Sequence, residues 1–181
     1  MFTQNRTFIL TLFFLSLFSR EIVSETLEEI VVLGDWRQVS AGQEDSSVVL
    51  LDAQTIKSQS MQHFEQLSYL VPNLNFAASD SRARYFQIRG IGERSGYQGT
   101  PNSSVGFLIY DIDYSGQGGI ATTFDVEQIE IHRGPQGSRI GANALAGLIY
   151  IRTKDPTDVF EANSEITLGS YGVKSTGLAF G

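Results

Sequence analysis

Asp111 and Asp113 stand two residues apart near the end of an apolar run, a spacing that puts two carboxylates on one face of a strand. Such a pair could do general acid–base work, one group donating a proton while the other accepts. The same acids also fit a solvated turn or a cross-strand ladder, and no other titratable group converges on them in a recognisable pattern. Gly134, Gly137, Gly141 and Gly147 suggest a phosphate loop, but their spacing fits neither G-x-G-x-x-G nor G-x-x-x-x-G-K-[ST]. Tight turns are the better reading. A nucleophile elbow of the form G-x-S-x-G is absent. The chain has no Cys, which removes thiol nucleophiles, thiolate metal sites and disulfides. Its two histidines, His63 and His132, lie far apart in sequence and give poor support to a metal site. The expectation is no enzyme, no metal and no cofactor. Two cations stand out instead: Arg89 and Arg133 each close a β-prone run and each directly precede a glycine.

The elements that must position these residues follow from composition and pattern. With 181 residues and 41% hydrophobic content, the chain can bury one core. A formal charge of −7, from 13 basic and 20 acidic residues, argues against nucleic acid, which requires a basic face. Eighteen glycines exceed the usual ~7% and point to many turns and close backbone approaches.

Residues 1–24 read as a secretory signal peptide: Arg6 near the start, the apolar run Phe8–Phe18, and small Ser24 at the cleavage point. The run is shorter than the ~20 residues of a membrane span; a buried core helix is the other reading. Residues 25–45 read as a flexible acidic arm around one sticky strand, Ile30-Val31-Val32-Leu33, and residues 25–52 hold seven acids against the single base Arg37. From Val48, short strands alternate with small helices. Val48–Leu51 is a strand, and Asp52 is an N-cap for a helix through Ile56. Phe64–Val71 is a second helix closed by Pro72. Further strands are expected at Leu74–Phe76, Arg84–Arg89, Val105–Tyr114, Glu127–Arg133, where Ile129 and Ile131 share a face, and Leu148–Thr153. The result is an α+β domain over 46–156. Beyond it, Glu165–Gly169 and Lys174–Phe180 flank a turn at Ser170-Tyr171-Gly172. This pattern fits either the opening hairpin of a transmembrane β-barrel over 157–181, with Ile166 and Leu168 facing lipid, or an ordinary surface hairpin.

Four segments, in order, make the chain resemble the start of a TonB-dependent outer-membrane receptor. Leu27–Val32 (LEEIVV) is similar to a TonB box with an acidic lead, and Phe86–Gly92 (FQIRGIG) to the "IRG" segment of the plug. Val105–Tyr114 is similar to a plug strand ending in Asp, and Asp125–Lys154 (DVEQIEIHRGPQGSRIGANALAGLIYIRTK) to the long signature that closes the plug. The sequence departs from the pattern at Leu33, where Thr is frequent, and at Ile140, where Tyr is usual. It also departs at Ala146, in place of Gly, and at Tyr150, in place of Asn.

The resemblance implies a plug domain, a mixed short-stranded sheet with small helices, seated in a 22-stranded barrel. A barrel strand takes ~9–11 residues, so the tail has room for one or two and the chain reads as the N-terminal piece of a receptor whose own barrel is missing. The implied function is energy-coupled uptake, across the outer membrane of a Gram-negative bacterium, of a ligand such as a ferric siderophore, haem, cobalamin or glycan. A stand-alone periplasmic plug-like binding module or an inactive fragment is the alternative. Glu28, Glu29, Ile30, Val31, Val32 and Leu33 would contact TonB by β-augmentation, or form a plain edge strand. Arg89 and Arg133 would latch the plug to glutamates of the barrel wall, or remain solvated strand-end charges. Arg94, Tyr97, Gln98 and Tyr114 would face ligand from the loops Gly90–Ser104 and Tyr114–Gly119, or merely help fill the barrel mouth.

Overall fold

The computed structural model describes residues 31–32, 39–40, 47–78, 82–95 and 102–181. The expected signal peptide lies outside these, as does most of the arm. Within the arm, β1 (Val31–Val32) pairs antiparallel with β2 (Val39–Ser40), Val31 opposite Ser40 and Val32 opposite Val39.

The domain is organised by a five-stranded mixed sheet in the order β3-β8-β9-β6-β7, made of β3 (Val48–Asp52), β8 (Val126–His132), β9 (Gly147–Thr153), β6 (Val105–Ile109) and β7 (Ile112–Asp113). β6 and β9 run parallel and every other neighbouring pair is antiparallel. A separate hairpin joins β4 (Leu74–Ala78) to β5 (Ala83–Ile88). Among the described residues three short α-helices complete the domain: α1 (Ala53–Ser58), α2 (Phe64–Leu67) and α3 (Gly137–Ile140). A last hairpin pairs β10 (Ala162–Leu168) with β11 (Lys174–Phe180).

One face of the sheet carries the main core. Leu51, Phe107, Ile129, Ile131, Ile149 and Ile151 are buried there with Ile56 of α1, Phe64 and Leu67 of α2, and Phe86 and Ile88 of β5. At its centre three rings meet: Phe64 is edge-on to Phe86 at 5.2 Å and to Phe107 at 5.4 Å, and Phe86 stacks on Phe107 at 5.5 Å. A smaller cluster, Leu108, Ala144, Leu148 and Tyr150, lies apart from it, with Ile140 packed against it. Gly106 makes that cover possible, because a Cβ there would meet Ile140 Cδ1 at 2.4 Å and Ala144 Cβ at 3.0 Å.

The helix start expected at Asp52 is present, its Oδ1 accepting from Thr55 N at 2.8 Å. Hydrogen bonding from Thr55, its side chain first and its backbone N–H second, holds the Asp52 carboxyl below its ordinary value of 3.8. A carboxyl depressed in the folded state contributes stability that is present above pH 3.8 and is lost as pH falls through the lower, folded value. Replacing Asp52 by alanine is expected to cost about 0.5–2 kcal/mol at neutral pH, and by asparagine to leave the cap but remove this pH dependence. Urea midpoints measured from pH 7 to pH 3 check both.

Three expected elements differ. Val105–Tyr114 is not one strand: Tyr110 adopts φ 55° and turns the chain back, so that Ile112 pairs with Ile109 and Asp113 with Leu108. The helix expected over Phe64–Val71 is α-helical only to Leu67 and then tightens to a 3-10 turn over Ser68–Leu70, which leaves Tyr69 83% exposed. The Gly134–Gly137 turn runs on into α3, a single helical turn ended by Gly141 at φ 74°.

Candidate functional site

Arg89 follows the last residue of β5 in a tight turn. Ile88 and Ile91 exchange backbone hydrogen bonds of 2.9 and 3.0 Å, with Arg89 at φ 55° and Gly90 at φ 81°. Two central residues at positive φ make this a primed turn, the type that suits a glycine at its second position. Arg133 follows the last residue of β8, and its backbone N–H donates to Ser47 O at 2.8 Å. The two arginines leave the fold at the same end. A Cβ on Gly147 would meet both Ile88 Cδ1, at 2.6 Å, and the carbonyl of His132, at 2.4 Å, so the residues that precede the arginines converge on the start of β9.

The arginines differ in surroundings. Arg89 is exposed. Arg133 is half-buried, and its Nε is shielded from solvent without a hydrogen-bond partner among the described residues. A shielded guanidinium N–H with no acceptor is costly, and a bidentate carboxylate is the partner whose geometry satisfies it.

The loops are braced from within. Glu93 accepts from Ser104 N at 3.0 Å and from Ser104 Oγ at 2.6 Å, and its carbonyl accepts from Gln87 Nε2 at 2.8 Å, so the loop from Gly90 closes on itself before β6 begins. Arg84 Nε donates to Gly116 O at 3.0 Å and ties the second loop to β5. Arg94 is exposed on the first loop, whereas Tyr114 is half-buried against the main core. Tyr97 and Gln98 lie outside the described residues, as do Glu28, Glu29, Ile30 and Leu33 of the arm. Val31 and Val32 form β1. Of the expected site residues, the structure brings Arg89 and Arg133 to one end of the sheet.

Asp111 and Asp113 are not poised for acid–base work. Asp111 is exposed in the turn, and both carboxylate oxygens of Asp113 are used, accepting from Ser115 N at 2.8 Å and Asn143 Nδ2 at 2.7 Å. Among the described residues no three His, Cys, Asp or Glu side chains are placed to hold a metal ion.

A polar cluster not anticipated from the sequence lies on β8. Glu130 and His132 are essentially inaccessible, and Gln128 is nearly so. Glu130 Oε1 accepts from Gln128 Nε2 at 2.8 Å, and Oε2 lies 2.8 Å from His132 Nε2. These residues alternate with Ile129 and Ile131, which places them on the other face of the strand. Only their alternating Gln-x-Glu-x-His types signalled them. A second polar group fastens the exit from the sheet. Arg152 Nε lies 3.3 Å from Glu127, its Nη2 binds Asp155, and Tyr110 donates to Asp155 Oδ1 at 3.0 Å. The Tyr110 hydroxyl first, and Arg152 second, hold the Asp155 carboxyl below its ordinary value.

The β10–β11 hairpin has two unlike faces. Ile166, Leu168, Leu178 and Phe180 project from one and are 66–75% exposed. Asn163, Thr167, Gly177 and Ala179, from the alternate positions, are half-buried on the side of the domain. The outer face also carries Ser164, Lys174 and Thr176, so its large apolar surface is confined to Ile166, Leu168, Leu178 and Phe180.

Comparison with known proteins gives a consistent answer. The family model described as the TonB-dependent receptor plug domain matches residues 40–148. The ferric enterobactin receptor PirA of Pseudomonas aeruginosa is 27% identical over 155 residues, covering 76% of this chain and 21% of the relative. The chain thus spans about a fifth of the length of that curated relative. Among solved structures, the ferripyoverdine receptor of the outer membrane of Pseudomonas aeruginosa superposes with a TM-score of 0.68 at 16% identity, over 82% of this chain and 19% of that one. The alcaligin outer-membrane receptor FauA of Bordetella pertussis gives 0.64 at 17% identity, over 80% and 24%. At such identities these structures establish the fold.

Proposed function

From the premise that this chain belongs to the TonB-dependent receptor plug-domain family, a family of receptors rather than enzymes, we propose that it is the plug portion of an outer-membrane transporter that gates energy-coupled uptake of a ferric siderophore. The family match carries the proposal. The siderophore class rests on the relatives, whose names specify ferric enterobactin, ferripyoverdine and alcaligin. The β10–β11 hairpin begins the barrel wall on this reading, its apolar face toward lipid. Arg89 and Arg133 are the latch, and the shielded, partnerless Nε of Arg133 favours a carboxylate from the wall. Arg94 is the residue of the first loop best suited to an anionic iron chelate.

Residues 28–33 are the TonB box, which adds a strand to a periplasmic partner. Four or five backbone hydrogen bonds at ~0.5–1.5 kcal/mol each yield only ~2–7 kcal/mol. Fixing five residues costs ~5–10 kcal/mol, so docking through backbone hydrogen bonds alone is weak and reversible. The acidic arm then recruits a basic partner by long-range attraction. Pairing of Val31 and Val32 with Val39 and Ser40 already holds part of the box extended, which lowers the ordering cost.

Replacing Val31 by proline removes one strand donor and fixes φ near −65°. The expected result is binding to the periplasmic domain of TonB at least ~10-fold weaker, a difference of about 1.4 kcal/mol. The plug should stay folded, because β1 pairs with β2 and with no strand of the five-stranded sheet. Unchanged binding in a calorimetric titration would remove the box assignment.

A further inference from the structure

Ile88 and His132, the residues before the two arginines, both pack at the bare Cα of Gly147, where a Cβ would collide with the His132 carbonyl and lie 2.6 Å from Ile88 Cδ1. That packing sets how near the two strand ends lie. It does not set where the corners beyond them point, because van der Waals contact carries no direction. Hydrogen bonds are directional, and a chain of them runs from one corner to the other.

The chain starts two residues before Arg89. Gln87, nearly inaccessible, donates from Nε2 to Glu93 O at 2.8 Å. Glycine at 92 permits this fold-back: it holds φ 149°, and a Cβ there would collide with the Phe86 carbonyl. Glu93 then reaches the start of β6. Its Oε1 accepts from Ser104 Oγ at 2.6 Å and from Ser104 N at 3.0 Å, and its Oε2 lies 3.2 Å from the same N. Beyond Ser104 the links are backbone. Ser104 O accepts from Ala146 N at 2.8 Å and Ser103 O from Ala144 N at 3.1 Å. Ala144 O accepts in turn from Gln136 N at 2.9 Å, three residues after Arg133. Ala144 is fully buried and holds φ 67°, a conformation that a non-glycine residue keeps only where its surroundings over-determine it. The Glu93–Ser104 link is the one in this chain made by a carboxylate, and a charged acceptor makes the stronger bond.

We propose that Glu93 is a positioning residue: by holding Ser104 at both its N–H and its hydroxyl, its carboxylate fixes the Arg89 corner relative to the Arg133 corner. Glu93 acts through Ser104 and the turn before β9, not on the arginines themselves. Two arginines that meet two fixed carboxylates gain from a set spacing, because the second contact then needs no further ordering. That gain rests on reading Arg89 and Arg133 as the latch; the spacing itself does not.

The test uses the full chain in detergent micelles. Because the sequence has no cysteine, Ile91→Cys and Pro135→Cys place one spin label two residues beyond each arginine, both at exposed positions. Double electron–electron resonance should give a single narrow distance in this doubly labelled parent. Glu93→Ala should lose that narrow distance while circular dichroism shows the domain still folded. Glu93→Met, which keeps the length of the side chain without an acceptor oxygen, should lose it as alanine does. Glu93→Gln should retain it, since one amide oxygen still accepts from both Ser104 donors. Ser104→Ala removes the 2.6 Å bond and carries the test if the Glu93 variants fail to fold; it should widen the distribution. The parental distance in Glu93→Ala or Glu93→Met, or in Ser104→Ala where it stands in for them, would overturn the positioning role, as would loss of the distance in Glu93→Gln. The latch is read separately. Arg133→Met keeps an aliphatic stem and removes an N–H that has no acceptor among the described residues, so the urea midpoint should not fall. A lower midpoint would show Arg133 already satisfied within the domain and reject the latch, leaving the spacing result as it stands.

Discussion

Replacing Glu130 by leucine is expected to destabilise the domain by about 3–5 kcal/mol, the loss typical of removing one partner from a buried pair. Glu130 has no exposed surface and accepts through both carboxylate oxygens, from Gln128 and from His132. Leucine takes the carboxylate acceptor away from two buried donors, a loss of ~1–3 kcal/mol for each. His132 can absorb little of this, because its Nδ1 is already buried without a partner among the described residues. A domain of this size has ~5–15 kcal/mol in total, so the variant should be close to unfolding. Replacing Gln128, Glu130 and His132 together by apolar residues of matching volume should recover most of the loss, because no orphaned donor remains. Urea midpoints of the single and triple variants check this. A single variant within about 1 kcal/mol of the parent would mean that water reaches the cluster.

Truncating Phe64 to alanine is expected to cost a comparable ~3–5 kcal/mol, for a different reason. Phe64 is fully buried and presents its edge to both Phe86 and Phe107. Its removal takes out two edge-to-face contacts worth ~0.5–1.5 kcal/mol each beyond burial and leaves a cavity where α2, β5 and β6 meet. Collapse into that cavity is hindered, since Phe86 and Phe107 are already stacked and wedged against Gly118, where a Cβ would meet their rings at 2.6 and 2.9 Å. Phe64→Leu should recover roughly half of the loss, as a partial filling of the same space. Equal melting temperatures for Phe64→Ala and the parent would show that the rings repack without it.

Local pattern foretold most of the elements and little of their arrangement. The strand Val48–Leu51 and the cap at Asp52 rest on neighbouring residues alone, and the structure holds both. The turn inside Val105–Tyr114 was hidden because Tyr110 is β-prone, and only the returning pairs Ile109–Ile112 and Leu108–Asp113 hold it at positive φ. Alternation in Glu127–Arg133 correctly put Ile129 and Ile131 on one face. It could not say whether the other face is covered, because the neighbours Leu50 and Tyr150 come from β3 and β9, distant in sequence. For the candidate site, the strand-end positions of Arg89 and Arg133 were legible as arginine before glycine. Their convergence was not, since it depends on Gly147 accommodating Ile88 and the His132 backbone at once. The close approach of the Phe124 ring to Gly177, where a Cβ would meet Cε2 at 2.4 Å, gave no local signal, because it spans more than fifty residues and leaves no periodicity behind.

The sheet order also sets a schedule for assembly. Among the described residues β3 is an outer strand paired in the sheet with β8 alone, Val48 opposite His132, so the first strand of the five-stranded sheet waits for a mate about eighty residues later. The β4–β5 and β10–β11 hairpins close over short turns and need no distant segment. Closing a long loop before its contacts form is the slow step in such topologies. The nascent chain therefore carries Val48–Asp52 without its sheet partner until β8 emerges, and this segment is where a holding chaperone would be needed.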